Sequence, residues 1–162
     1  MTATPPPELA EPPRVVVHGN TPIARAVMSL AIAVGYQAAA YNGAGLDSAA
    51  AMVTATHGGP EEEAVLRAAL AAGVPYIALV GSRSRGEAVV AGLAEDGMAT
   101  DSVHTPAGLD IGARTPEEVA LAILAEMVAA RPRVPGQARA ARGTGAPPCG
   151  GHGGRTSGGE EG

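Results

Sequence analysis

Four short stretches of this 162-residue chain have residue types and spacings that can do chemistry. The first is Gly19-Asn20-Thr21-Pro22-Ile23-Ala24, directly after the β-branched run Val15-Val16-Val17. A strand followed by G-x-G-x-x-G/A is where open α/β sheets bind phosphate. Here the first Gly (Gly19) and the closing small residue (Ala24) are present, but Thr21 stands at the second Gly. Its Cβ and γ atoms fill the space through which a pyrophosphate approaches the backbone. The acidic residue that holds an adenosine ribose is also missing from the end of the second apolar run. Tyr41-Asn42-Gly43 stands there, and Asp47 is the nearest carboxylate.

The second stretch, His57-Gly58, and the third, Gly81-Ser82-Arg83, each follow an apolar run, at the chain position where ligands approach a parallel sheet. Ser82 can cap a helix and Arg83 can hold an anion through two parallel hydrogen bonds. Arg85 can act likewise or face solvent. The fourth stretch is Gly108-Leu109-Asp110-Ile111-Gly112-Ala113-Arg114-Thr115. Two glycines around an aspartate, then an arginine and a helix start, can offer amide donors and a positive dipole end to an anion. The same residues also read as a loop whose glycines supply positive φ and whose Asp110 closes its own turn.

The elements that must position these residues alternate regularly. Pro22 opens an apolar helix that Gly35 ends, and Tyr36–Tyr41 and Ala50–Thr56 read as strands. Pro60 starts a helix with Glu61, Glu62 and Glu63 in its first turn, where they suit the macrodipole. Tyr76–Val80 is a strand buried on both faces, because its apolar run is continuous. A helix over about Gly86–Glu95 follows, then a loop from Val103 to Thr115. Thr115 and Glu118 have capping-box spacing around Pro116, so a last helix runs to about Ala130. This pattern predicts an α/β, Rossmann-like open parallel sheet of four to five strands with helices on both faces. The expected domain covers 14–131, between a disordered Pro-rich arm over 1–13 and a disordered Gly/Arg-rich tail over 132–162.

Composition excludes several classes. The net charge is −5, and all 11 basic residues are arginine. No basic excess exists to neutralise phosphates, so a nucleic-acid partner is not expected. The longest apolar stretch, Ala24–Tyr41, is interrupted by Arg25, Gly35 and Gln37, so no membrane span is expected. The opening residues lack a basic and then apolar signal pattern, which predicts a cytoplasmic protein. One cysteine, Cys149, excludes an intrachain disulfide framework. Together with His152 it supplies two of the four ligands of a structural zinc site, so a metal is not expected.

The stretch YIALVGSRSR, followed by TPAGLDIGARTPEEVALAILAEMVAAR, resembles the C-terminal Rossmann domain of the xanthine dehydrogenase accessory factor family (XdhC/CoxI/CoxF-like). The resemblance is loose over Val15–Arg131 and close over Pro75–Arg131. It implies a maturation factor that binds molybdenum cofactor, as molybdopterin or its dinucleotide form, and hands it to a molybdenum hydroxylase apo-enzyme. Gly81, Ser82, Arg83, Gly108, Asp110, Gly112 and Thr115 match the family's motif positions, and His57-Gly58 matches a less regular loop. Arg83 and Arg114 would neutralise the phosphate, with Gly19, Asn20 and Thr21 on the same edge. Two-domain members carry a further N-terminal module with a characteristic cysteine, which implies a separate chain supplying that module here. No nucleophile–base pair is visible, so turnover is not expected. The rival reading is a small NAD(P)-binding oxidoreductase, with a non-catalytic interaction module as a third. The Ala-rich last helix also allows a homodimer.

Overall fold

A computed structural model describes residues 11–132. The tail from residue 133, with Cys149 and His152, and residues 1–10 of the Pro-rich arm lie outside the described residues. The elements are β1 (Arg14–His18), α1 (Pro22–Ala33), β2 (Gln37–Ala40), β3 (Ala49–Thr54), α2 (Pro60–Ala71), β4 (Ile77–Leu79), α3 (Arg83–Glu95), β5 (Val103–His104) and α4 (Pro116–Ala130). All five strands are parallel and form one open sheet in the order β2-β1-β3-β4-β5.

Alternate residues of each strand point to opposite faces, and the two faces hold separate cores. Val15, Val17, Ala51, Val53 and Ala78 pack against Val27 and Ala31 of α1 and Ile123, Leu124 and Met127 of α4. Val16, Met52, Ile77 and Leu79 pack against Val65, Leu66 and Ala69 of α2 and Leu93 of α3. Helices therefore cover both faces, as the alternation of elements predicts.

Three local expectations change. The segment read as a loop from Val103 contains β5, whose two residues pair with Ile77 and Ala78. A free edge of β4 recruits it, not any apolar run of its own. Helix α3 starts at Arg83 rather than near Gly86, because Ser82 is its N-cap and accepts from the Arg85 amide. Glu62 stands in the first turn of α2 as expected, but the dipole reading misses its burial: it is 1 % exposed.

Candidate functional site

The loops after β1, β3 and β4 all leave the carboxyl edge of the sheet. In the order 2-1-3-4-5 the direction of strand addition reverses between β1 and β3, and ligands of such sheets bind in the crevice outside that point. The floor of this crevice is tightly made. Gly19 has φ +114° and leaves no room for a side chain, since a Cβ there would overlap the Ala55 carbonyl oxygen. The Thr21 hydroxyl donates to that carbonyl (2.9 Å) and accepts from the Ala24 amide (3.2 Å), which makes Thr21 the N-cap of α1. Thr21 thus ties the β1–α1 loop to the end of β3. Beside it, Asn20 is exposed and accepts the Arg25 guanidinium through its backbone oxygen and its Oδ1.

Helix α2 begins differently. Its N-cap is Gly59, with no side-chain cap, and both Gly58 (φ +91°) and Gly59 (φ +119°) need left-handed backbone. His57 is exposed on the same loop. The first turn of α2 therefore has no capping side chain. Pro60 has no amide proton, and the Glu62 and Glu63 amides donate to the Gly59 carbonyl (3.1 and 3.4 Å). This leaves the Gly59 and Glu61 amides as donors, with three first-turn carboxylates offsetting the positive dipole end.

Beneath these loops lies a polar cluster that sequence reasoning missed. Glu62 pairs with the Arg85 guanidinium through Oε1, and Oε2 accepts from the hydroxyls of Thr54 (3.2 Å) and Thr56. Arg85 also donates to the Val80 carbonyl (2.6 Å). A Cβ at Gly81 would overlap the same guanidinium, and one at Gly58 would sit 3.0 Å from it. Arg85, read as an anion ligand or a solvent-facing residue, instead joins the β3–α2 and β4–α3 loops from below. Its signal in the sequence was the pair Thr54 and Thr56, two hydroxyls on alternate positions closing an apolar strand, which require a polar neighbour on the α2 face.

Arg83 lies at the first position of α3. Its side chain is exposed and stands 4.0 Å from Glu87, a weak i,i+4 pair that leaves its donors open to solvent. Ser82 is exposed beside it.

The fourth stretch is drawn elsewhere at its start. Gly108 (φ +101°) donates its amide to Glu126 Oε2 at 2.9 Å, and Leu109 donates to the Ala122 carbonyl at 3.2 Å. Ala122 is seven residues into α4, so this contact lies about 10 Å down the helix axis from its N-cap. A Cβ at Gly108 would meet Ala122 at 3.0 Å, so close approach to α4 accounts for this glycine. Asp110, Gly112 (φ +71°) and Arg114 are all exposed on the return toward Thr115. Thr115 forms the full capping box with Glu118. Glu118 Oε2 accepts the Arg114 (2.7 Å) and Thr115 (3.1 Å) amides, and these bonds hold its carboxyl below the usual glutamate range.

A second missed cluster holds the loop start in place. The Tyr76 hydroxyl donates to Glu126 Oε2 (2.7 Å), and its ring packs 4.5 Å from that of His104. Burial pushes the Tyr76 pKa well above the usual tyrosine value, and Glu126 adds to the shift. Among the described residues no group of three or more His, Cys, Asp or Glu could hold a metal ion.

This architecture is a Rossmann-type domain with its open crevice at the β1/β3 reversal. The XdhC Rossmann domain model matches residues 15–127, and the chain belongs to that family. It is 32 % identical over 84 residues to a probable xanthine dehydrogenase subunit of Bacillus subtilis (strain 168), covering 52 % of this chain and 24 % of that protein. It is 33 % identical over 66 residues to the uncharacterised protein YqeB of Escherichia coli (strain K12), covering 39 % of this chain and 12 % of that one. The fold matches a crystal structure described as a xanthine dehydrogenase from Bacillus halodurans, with a TM-score of 0.61 and 18 % identity, over 74 % of this chain and 42 % of that one. The chain thus spans about a quarter or less of the length of the curated relatives it matches. No helix among the described residues is long and apolar enough to cross a membrane.

Proposed function

We propose that this domain is a cytoplasmic accessory factor for a molybdenum hydroxylase of the xanthine dehydrogenase type. It binds the molybdenum cofactor, as molybdopterin or its dinucleotide form, at the carboxyl edge and passes it to the apo-enzyme. The observation that carries this reading is the family match over residues 15–127, which takes in every loop of the crevice. The relative named as a probable xanthine dehydrogenase component supports the client class.

The donor set suits the phosphate end of such a cofactor, which supplies the negative charge to be recognised. The Gly59 and Glu61 amides and the Ser82 hydroxyl would hold phosphate oxygens. Arg83 and Arg114 would neutralise their charge, each free to swing because neither residue is buried. The Glu62–Arg85 cluster would keep the loops apart from below. The NAD(P) reading is less well supported, because Thr21 closes the floor through Ala55 and no carboxylate stands at the end of β2, where Tyr41-Asn42-Gly43 follows.

Calorimetric titration of the full chain with molybdopterin cofactor, NAD, NADP and a cytidine nucleotide tests the proposal. The pterin cofactor is expected to bind. Arg83→Ala and Arg114→Ala should each lower its affinity about 10- to 100-fold, the scale of a charge-assisted hydrogen bond, with an unchanged circular-dichroism spectrum. Binding of NAD alone would establish the oxidoreductase reading instead, and binding of none would leave an interaction module.

A further inference from the structure

We infer that the outer face of α1 and α4 is the surface on which a second copy of this chain docks. Helices on the two sides of the sheet differ in a way the fold alone does not require. Together α2 and α3 carry eight charged residues in their 25 positions, whereas α1 and α4 carry four in 27. Of those four, Glu118 serves the capping box and Glu126 is turned toward Tyr76 and Gly108. After its first turn α4 is therefore apolar toward solvent as well as toward the core. Leu121 and Val128 are each 52 % exposed, and Ile32 on α1 is 59 % exposed. A helix that is apolar all round is normally covered on every side.

The cover must also answer two opposite charges. An open groove of about 680 Å³ runs between the helices, lined by Ala26, Leu30, Ala33 and Leu121, with Arg25 on the α1 side and Glu117 and the capping-box Glu118 on the α4 side. Arg25 spends its hydrogen bonds on Asn20, and neither Arg25 nor Glu117 forms an ion pair among the described residues. An apolar strip with a cation on one bank and a carboxylate on the other is self-complementary. A two-fold rotation sets Arg25 of each copy against Glu117 of the other, while Leu121 and Leu30 close the centre. A second copy supplies both countercharges from residues already on this surface. The groove borders the β1–α1 loop, since Arg25 donates to Asn20, but association through it needs no cofactor.

Sedimentation velocity on the full chain, over roughly 1–100 µM where micromolar association is visible, is the test. The expected result is a concentration-dependent dimer. Leu121→Glu should weaken it at least about tenfold, since it places a buried, unpaired charge at the centre. Arg25→Glu should weaken it too, and adding Glu117→Arg should restore it, with thermal melts showing that each variant stays folded. A chain that remains monomeric throughout overturns the inference, as does a dimer indifferent to Leu121→Glu. Failure of the double reversal to restore association overturns the Arg25–Glu117 pairing and with it the two-fold arrangement.

Discussion

Arg85 is the residue whose loss should be felt most. Its guanidinium is the counter-ion of a carboxylate that is only 1 % exposed at residue level, and two threonine hydroxyls complete that carboxylate's shell. Removing one member of a buried pair leaves the other charged and unsolvated, at a cost of about 3–5 kcal/mol. Arg85→Ala is therefore expected to lower the unfolding free energy read from urea denaturation by that scale. The combined change Glu62→Leu/Arg85→Met should recover much of the loss, because neither charge then remains. Gly19→Ala belongs to the same scale but acts through the backbone. Its Cβ overlaps the Ala55 carbonyl and its φ of +114° disfavours any side chain. It should destabilise by at least about 1–3 kcal/mol and weaken ligand binding together with stability, unlike Arg114→Ala. A variant as stable as the parent would show that the crevice floor yields.

At the scale of elements, the start of α4 carries a pH dependence whose sign is fixed by Glu118. Amides of Arg114 and Thr115 hold its folded-state carboxyl below the ordinary glutamate value. A depressed folded value means that the cap contributes fully above the unfolded value and is lost as pH falls through the folded one. Stability should therefore drop on acidification below about pH 4.3, the unperturbed glutamate value. Glu118→Gln should flatten that part of the profile in thermal melts at successive pH values. This element was legible in the sequence, since Thr115, Pro116 and Glu118 encode its start chemically. So were α1 and α2, each opened by a proline and followed by a positive-φ glycine, Gly35 and Gly73. Strand β5 was not legible, because two residues joined by pairing alone leave no apolar period to read. The site was legible as loops and not as contacts. Glycine, serine and arginine mark the turns, but nothing local announces that Arg85 reaches Glu62 across 23 positions, or that Gly108 seats on Glu126 rather than beside Gly81.

Across the whole molecule, stability is expected to be graded from the middle of the sheet outward. Strands β1, β3 and β4 lie between two cores, and Val15, Val16, Ala51, Met52, Val53 and Ala78 are at most 1 % exposed. The outer strands are thin by comparison: β2 has an exposed residue at each end and pairs only with β1, while β5 is two residues long and pairs only with β4. Local opening therefore removes little buried surface at either edge, whereas exposing the Met52 or Ala78 amide requires both cores to part. Hydrogen exchange read by mass spectrometry should show peptides from β3 and β4 exchanging only by global unfolding. Peptides from β2 and from Val103–His104 should exchange orders of magnitude faster. Added ligand should slow the β1–α1, β3–α2 and β4–α3 loops first, because these carry the groups proposed to hold the phosphate. Equal protection of β2 and β3 in the free protein would mean that the β2 edge is covered by something else. A second copy seated on α1 and α4 would instead protect Leu121 to Val128 and leave that edge exchanging fast.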